Sequence, residues 1–187
     1  MRPYILEWER RGLIREINGK KPQISPEALV LEGAVIAGDV KIARRANIWY
    51  NAVLRGDLAP ISIGEETSIQ DNVVIHADRG QEVVVGDQVT IGHGAVLHGC
   101  KIGNRVIIGM NAVVLDGAVV GDGSIVGANS LVKRGQQIPP GSIAVGSPAK
   151  VLRQVTPEET EGILRGVADY QELHNFHAQA QGKGAGV

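Results

Sequence analysis

The chain has 187 residues and a formal net charge of −1; 43% of its residues are hydrophobic, yet aromatics make up only 3%. A near-neutral balance without long runs of one sign excludes an electrostatic nucleic-acid or membrane surface, and no apolar run approaches the roughly 20 residues of a membrane span. The single cysteine, Cys100, excludes an internal disulfide and fits a reducing, cytoplasmic compartment.

Residues 1–23 carry charges throughout and show no apolar stretch of the secretory kind. They are expected to form a lead-in strand or cap. From Ile24 an aliphatic residue recurs at every sixth position: Ile24, Val30, Ile36, Ile42, Ile48 and Leu54. The phase slips by three residues and resumes at Ile63, Ile69 and Ile75, then slips by four and resumes at Val85, Ile91 and Leu97. One residue is then lost, and the period continues from Ile102 through Ile108, Val114, Val120, Val126 and Val132 to Ile138. Four positions after these the residue is usually small or aliphatic, as at Ala34, Ala46, Ala95 and Ala112. Six does not match the 3.6-residue helical period, and β-branched residues favour strands. Short strands joined by tight corners, one hexad per face, describe a parallel β-helix over residues 24–150. A core with so few aromatics must be narrow and filled by Ile, Val, Leu and Ala.

Beyond the coils, Thr156-Pro157-Glu158-Glu159 reads as a helix start, with threonine as the cap and carboxylates in the first turn. Residues 151–180 are assigned to this C-terminal helix. Its apolar stripe of Ile163, Leu164, Val167, Tyr170 and Leu173 should pack on the outside of the prism, in this subunit or a neighbour. Residues 181–187 are expected to be a frayed tail.

The period also places the histidines. His76 and His98 each follow a key residue by one and lie three hexads apart, so they should stack on adjacent coils about 4.8 Å apart. Two imidazoles so placed can share a metal ion. His93 falls two residues after Ile91, on another face, so it would join them only from a neighbouring subunit of a cyclic trimer. Arg55 lies in the His76/His98 column and Asp71 in the His93 column, each one coil earlier, so the two should meet across the same interface. Gln70 is weighed equally as an orienter of metal-bound water and as a strand-edge cap. Cys100 reads as a small buried hydrophobe rather than a ligand. Tyr170 reads as packing ahead of chemistry, and His174 and His177 as solvated.

The repeat resembles that of the hexapeptide family, whose fold is a left-handed, three-sided β-helix. Within it, Arg55-Gly56-Asp57, Gln70-Asp71, His76 and His93-Gly-Ala-Val-Leu-His98 resemble the γ-class carbonic anhydrases. The resemblance implies zinc, with iron or cobalt as substitutes, bound by His76, His93 and His98 between subunits of a homotrimer. It implies Arg55, Asp57 and Asp71 as interface and metal-supporting residues, with Gln70 and Tyr170 as catalytic ones. The implied reaction is reversible hydration of CO2 to bicarbonate by metal-bound hydroxide. The chain departs from the archetype in a short 77–82 segment, where Asp78 or Glu82 would have to carry protons, and in Leu58 after the Arg-Gly-Asp triplet. The alternatives are a hexapeptide-repeat acyltransferase using acyl-CoA and a catalytically weak, metal-binding trimeric scaffold.

Overall fold

The computed structural model describes residues 13–183. Its body is a three-sided parallel β-solenoid. The first face stacks residues 35–37 and 53–55 with Val74–His76, Val96–His98, Val113–Val114 and Leu131–Val132. The second stacks residues 40–42 and 61–63 with Val83–Val85, Lys101–Ile102, Val119–Val120 and Gln137–Ile138. The third runs from Leu29–Val30 through Asn47–Ile48, Ser68–Ile69, Thr90–Ile91, Ile107–Ile108 and Ile125–Val126 to Ser142–Val145. Two long strands, Val35–Ile42 and Val53–Ile63, continue around a corner and join the first two faces into one sheet.

The hexad residues point inward, as their spacing requires. Leu54, Ile75, Ile91, Leu97, Ile108 and Val114 are fully buried, and Ala34, Ala52, Ala95 and Ala112 fill the space between them. Shape constrains this core more than hydrophobicity does, because each coil leaves room for a fixed set of small and medium side chains. Truncating Leu97 to alanine should therefore cost about 2–5 kcal/mol, readable in the midpoint of chemical denaturation. The two phase slips appear as excursions at the corner between the first and second faces. One is a register shift opposite Gly38, and the other is a turn closed by the Gln81 N–H donating to the Asp78 carbonyl at 3.0 Å.

Of the expected 1–23 segment, residues 1–12 lie outside the described residues. Leu13–Arg15 forms a strand parallel to residues 35–37. At the other end Lys150–Gln154 is not part of the helix but an antiparallel strand closing the third face against Ser142–Val145. The helix spans Pro157–Lys183, so it extends into the segment expected to fray; residues 184–187 lie outside the described residues. Thr156 and Glu159 cap it reciprocally: the Thr156 N–H donates to Glu159 Oε2 at 2.9 Å, and the Glu159 N–H donates to Thr156 Oγ1 at 3.3 Å.

The helix lies on the third face of its own chain, and its buried stripe differs from the expected one. Leu164 and Leu173 face outward, at 44% and 40% exposure, while Ile163, Val167 and His174 are buried. Tyr170 packs on Leu29, Leu31 and Trp49. Nor is His177 solvated, since it stacks edge-on against Trp49 and sits 3.3 Å from the Tyr50 hydroxyl. The rotation follows from what the third face offers: an indole and polar backbone that accept a tyrosine and histidines better than leucines. Gln171 Nε2, for example, donates to the Arg45 carbonyl at 3.1 Å.

His174 is enclosed with its Nδ1 lacking a hydrogen-bond partner, and burial together with the nearby charge of Arg45 pulls its pKa below the ordinary 6.5. The folded state therefore prefers the neutral ring, whereas the unfolded chain begins to protonate as pH falls through 6.5. Stability should accordingly decline from pH 6.5 down to the depressed folded pKa and be indifferent to this group at higher pH. Urea titrations between pH 8 and pH 5 should show His174→Phe losing that part of the slope.

Candidate metal centre

The first face brings His76 and His98 together as the period requires. Arg55, His76 and His98 occupy the same register on three successive strands. Strand alternation turns Ile75 and Leu97 into the core and the histidines outward, half-buried at the rim of the corner. Their rings lie 5.2 Å apart, with His76 Nδ1 and His98 Nε2 at 3.2 Å.

The far nitrogen of each ring faces a carboxylate. His76 Nε2 lies 3.0 Å from Asp57 Oδ1, and His98 Nδ1 lies 2.6 Å from Asp116 Oδ1. An ionised carboxylate only accepts, so each of these nitrogens carries the proton and the other nitrogen of each neutral ring presents a lone pair. Two lone pairs then face each other at 3.2 Å, which is repulsive unless a cation or a shared proton lies between them. Two nitrogens bound to one tetrahedral zinc at about 2.0–2.1 Å stand roughly 3.3 Å apart. The pair fits such an ion.

Asp116 was not singled out from the sequence. It is 4% exposed and links His98 to Arg134, whose NH2 donates to Asp116 Oδ2 at 2.8 Å. Burial pushes its pKa up, but the His98 hydrogen bond and the Arg134 charge outweigh that and hold it below the usual carboxylate range. Asp57 behaves alike, with burial opposed by hydrogen bonds from Arg55, at 2.6 Å, and His76. Gly99 makes room for the Asp116 contact: it has φ +55°, and a Cβ there would fall 2.6 Å from Asp116 Oδ1. The sequence held one usable signal, a lone acid in an otherwise aliphatic hexad beneath that glycine.

His93 is not part of this cluster. Among the described residues, the donors able to converge on one ion are His76, Asp78 and His98. His93 lies on the third-face side, where its Nδ1 meets Asp71 Oδ2 at 2.7 Å and its Nε2 is left as the donor. Gln70 is buried, and its Oε1 accepts from the His93 backbone N–H at 3.0 Å, so its carbonyl holds the His93 loop. Tyr170 is half-buried, packed edge-on against Trp49 with the ring centroids 5.5 Å apart; burial and the charge of Asp71 raise its pKa. The single chain thus gathers Gln70, Asp71, His93 and Tyr170 on one side and Arg55, Asp57, His76 and His98 on another.

Of the two acids in the short segment, Glu82 is paired with Lys101 at 3.2 Å, while Asp78 is exposed beside the histidines. Cys100 is fully buried, and burial pushes its thiol up to about 12, which suits a packing role.

Residues 99–134 match the family model described as bacterial transferase hexapeptide (six repeats). The chain is 51% identical over 150 residues to a probable carbonic anhydrase of Methanocaldococcus jannaschii, covering 80% of this chain and 94% of that one. It is 44% identical over 180 residues to the mitochondrial gamma carbonic anhydrase 3 of Arabidopsis thaliana, covering 93% of this chain and 70% of that one. Among solved structures, a putative acetyltransferase from Bacillus cereus superposes with a TM-score of 0.90 at 36% identity, covering 91% of this chain and 99% of the other. No helix among the described residues is long and apolar enough to cross a membrane. With both the coil repeat and the carboxylate-backed histidines in place, the chain belongs to the γ carbonic anhydrase family of hexapeptide-repeat proteins.

Proposed function

We propose that the protein is a zinc-dependent carbonic anhydrase that hydrates CO2 reversibly to bicarbonate at the interfaces of a homotrimer, with Fe2+ or Co2+ as alternative metals. The observation that carries this reading is the 3.2 Å pairing of His76 Nδ1 with His98 Nε2, each ring backed by its own aspartate. His76 and His98 of one subunit and His93 of the next make a three-imidazole set. The metal would supply Lewis acidity that brings the pKa of water near neutrality.

The chain's own residues do the remaining work. Asp57, Asp116 and Asp71 fix the tautomers of His76, His98 and His93 and aim their free nitrogens. Gln70 holds the His93 loop. Asp71 bonds His93 through Oδ2, leaving Oδ1 to meet Arg55 of the adjoining subunit, whose side chain is 46% exposed. Tyr170 borders the Asp71 side of the site. Asp78 is the carboxylate placed to accept a proton and pass it to solvent, since Glu82 is tied to Lys101.

Stopped-flow hydration assays on zinc-loaded protein, with His93→Ala as control, test the proposal. A rate well above background that falls with the substitution is expected. A rate at background in both proteins would sink the anhydrase reading, and acetyl transfer from acetyl-CoA by metal-free protein would favour the acyltransferase one.

A further inference from the structure

The single chain already contains a three-donor set without His93. Just past the strand Val74–His76, Ala77 is fully buried while His76 is half-buried and Asp78 exposed on either side of it. The tight turn behind them, with Gly80 at φ +79° and the Gln81 N–H donating to the Asp78 carbonyl, folds the short segment back over the corner. As a result the donor atoms of His76, Asp78 and His98 all lie within 4.8 Å of one another.

Every other acid around the two histidine sites is already engaged. Asp57 is held by Arg55 and His76, Asp116 by His98 and Arg134, Asp71 by His93, and Glu82 by Lys101. The Asp78 carboxylate makes no hydrogen bond or ion pair with the described residues, and its side chain is exposed. Two imidazoles and one carboxylate are a donor set that zinc accepts with a position left open.

We infer that Asp78 is a metal ligand of the individual chain, holding zinc with His76 and His98 in the place that His93 of a neighbouring subunit takes on assembly. This rests on the metal-centre reading above and extends it. Metal loading then does not have to wait for the trimer. A carboxylate in place of an imidazole adds negative charge at the ion, so the single-chain site stores metal while its Lewis acidity is weakened. Arrival of His93 releases Asp78.

Zinc affinity, measured by competition with a chromophoric chelator, and the visible spectrum of the Co2+ form should be compared across wild type, Asp78→Asn, His93→Ala and the double variant. Asp78→Asn alone should leave wild-type affinity within about twofold, because His93 fills the third position. His93→Ala should keep a measurable site with an altered Co2+ spectrum. The double variant should bind more weakly than His93→Ala by at least the roughly 10–100-fold that even indirect changes at metal sites cost. Equal affinity and identical Co2+ spectra for His93→Ala and the double variant would overturn the inference. Failure of the underlying reading looks different: the wild type itself would bind no metal, or His76→Ala would bind it undiminished. Asp78 is exposed in a turn, so far-UV circular dichroism of Asp78→Asn should match wild type and exclude misfolding as the cause.

Discussion

Replacing His98 by alanine should abolish zinc retention and CO2 hydration together while leaving the coil stack folded. His98 belongs to both donor sets, the one completed by His93 and the one completed by Asp78, and the donors left after its removal no longer include the pair of imidazole nitrogens held 3.2 Å apart that fits the ion. The loss should therefore be complete at micromolar metal, with hydration at background. The cost to folding is small by comparison. The His98 side chain is 26% exposed and the core contact at that point belongs to Leu97, which is untouched. Asp116 loses one hydrogen bond but keeps Arg134, so the penalty should stay at about 1–3 kcal/mol. Metal content after gel filtration, stopped-flow rates and a denaturation curve on one preparation would check all three. Full loss of metal accompanied by unfolding would contradict the separation of site from core.

Asp116→Ala should lower zinc affinity about 10–100-fold without removing any ligand. Its carboxylate sets the tautomer of His98 and holds the ring; without it the ring is free to turn and to place its proton on Nε2, the nitrogen the metal needs. Hydration should fall at limiting zinc and recover substantially when zinc is raised, which distinguishes this variant from His98→Ala. The same change alters the acid limb of stability. The folded Asp116 has a depressed pKa, so its contribution is present above the unfolded carboxylate pKa and is lost as pH falls through the folded value. The variant should therefore lose stability mainly at neutral pH and converge with wild type in acid. Asp116→Asn, which keeps the shape but not the charge, should fall between the two.

The repeat made the solenoid legible because an inward-facing position every six residues is a covalent property of the chain and needs no tertiary information. The same phase placed Arg55, His76 and His98 in one column and Asp71 with His93 in another, and the strand registers agree. Asp116 escaped because its contact is diagonal. It lies in register with Gly99 rather than His98, and only the missing side chain at Gly99 lets the carboxylate reach the ring. The strand Lys150–Gln154 was absorbed into the helix segment because an antiparallel closing strand breaks the hexad rule that identified all the others. The helix was assigned correctly, but two of the five residues of its expected stripe, Leu164 and Leu173, face outward. What the third face presents is Trp49 and the Arg45 carbonyl, which keep Tyr170 of the expected stripe and take Gln171 and His174 in place of Leu164 and Leu173. Hydrophobic periodicity predicts burial against an apolar surface and is least informative where the opposing surface is mixed.

The central claim is that His76 and His98 act with His93 of a different subunit. It is tested most directly by mixing two defective chains, His93→Ala and His98→Ala, through denaturation and joint refolding. Each homotrimer lacks a ligand at all its interfaces. A hybrid contains interfaces where the His93→Ala chain supplies His76 and His98 and the His98→Ala chain supplies His93. The account predicts hydration activity above the sum of the two parents, approaching roughly a quarter of wild type, the share of correctly ordered neighbours in an equal random mixture. A mixture no more active than the sum of its parents, in trimers shown by mass to contain both chains, would contradict it.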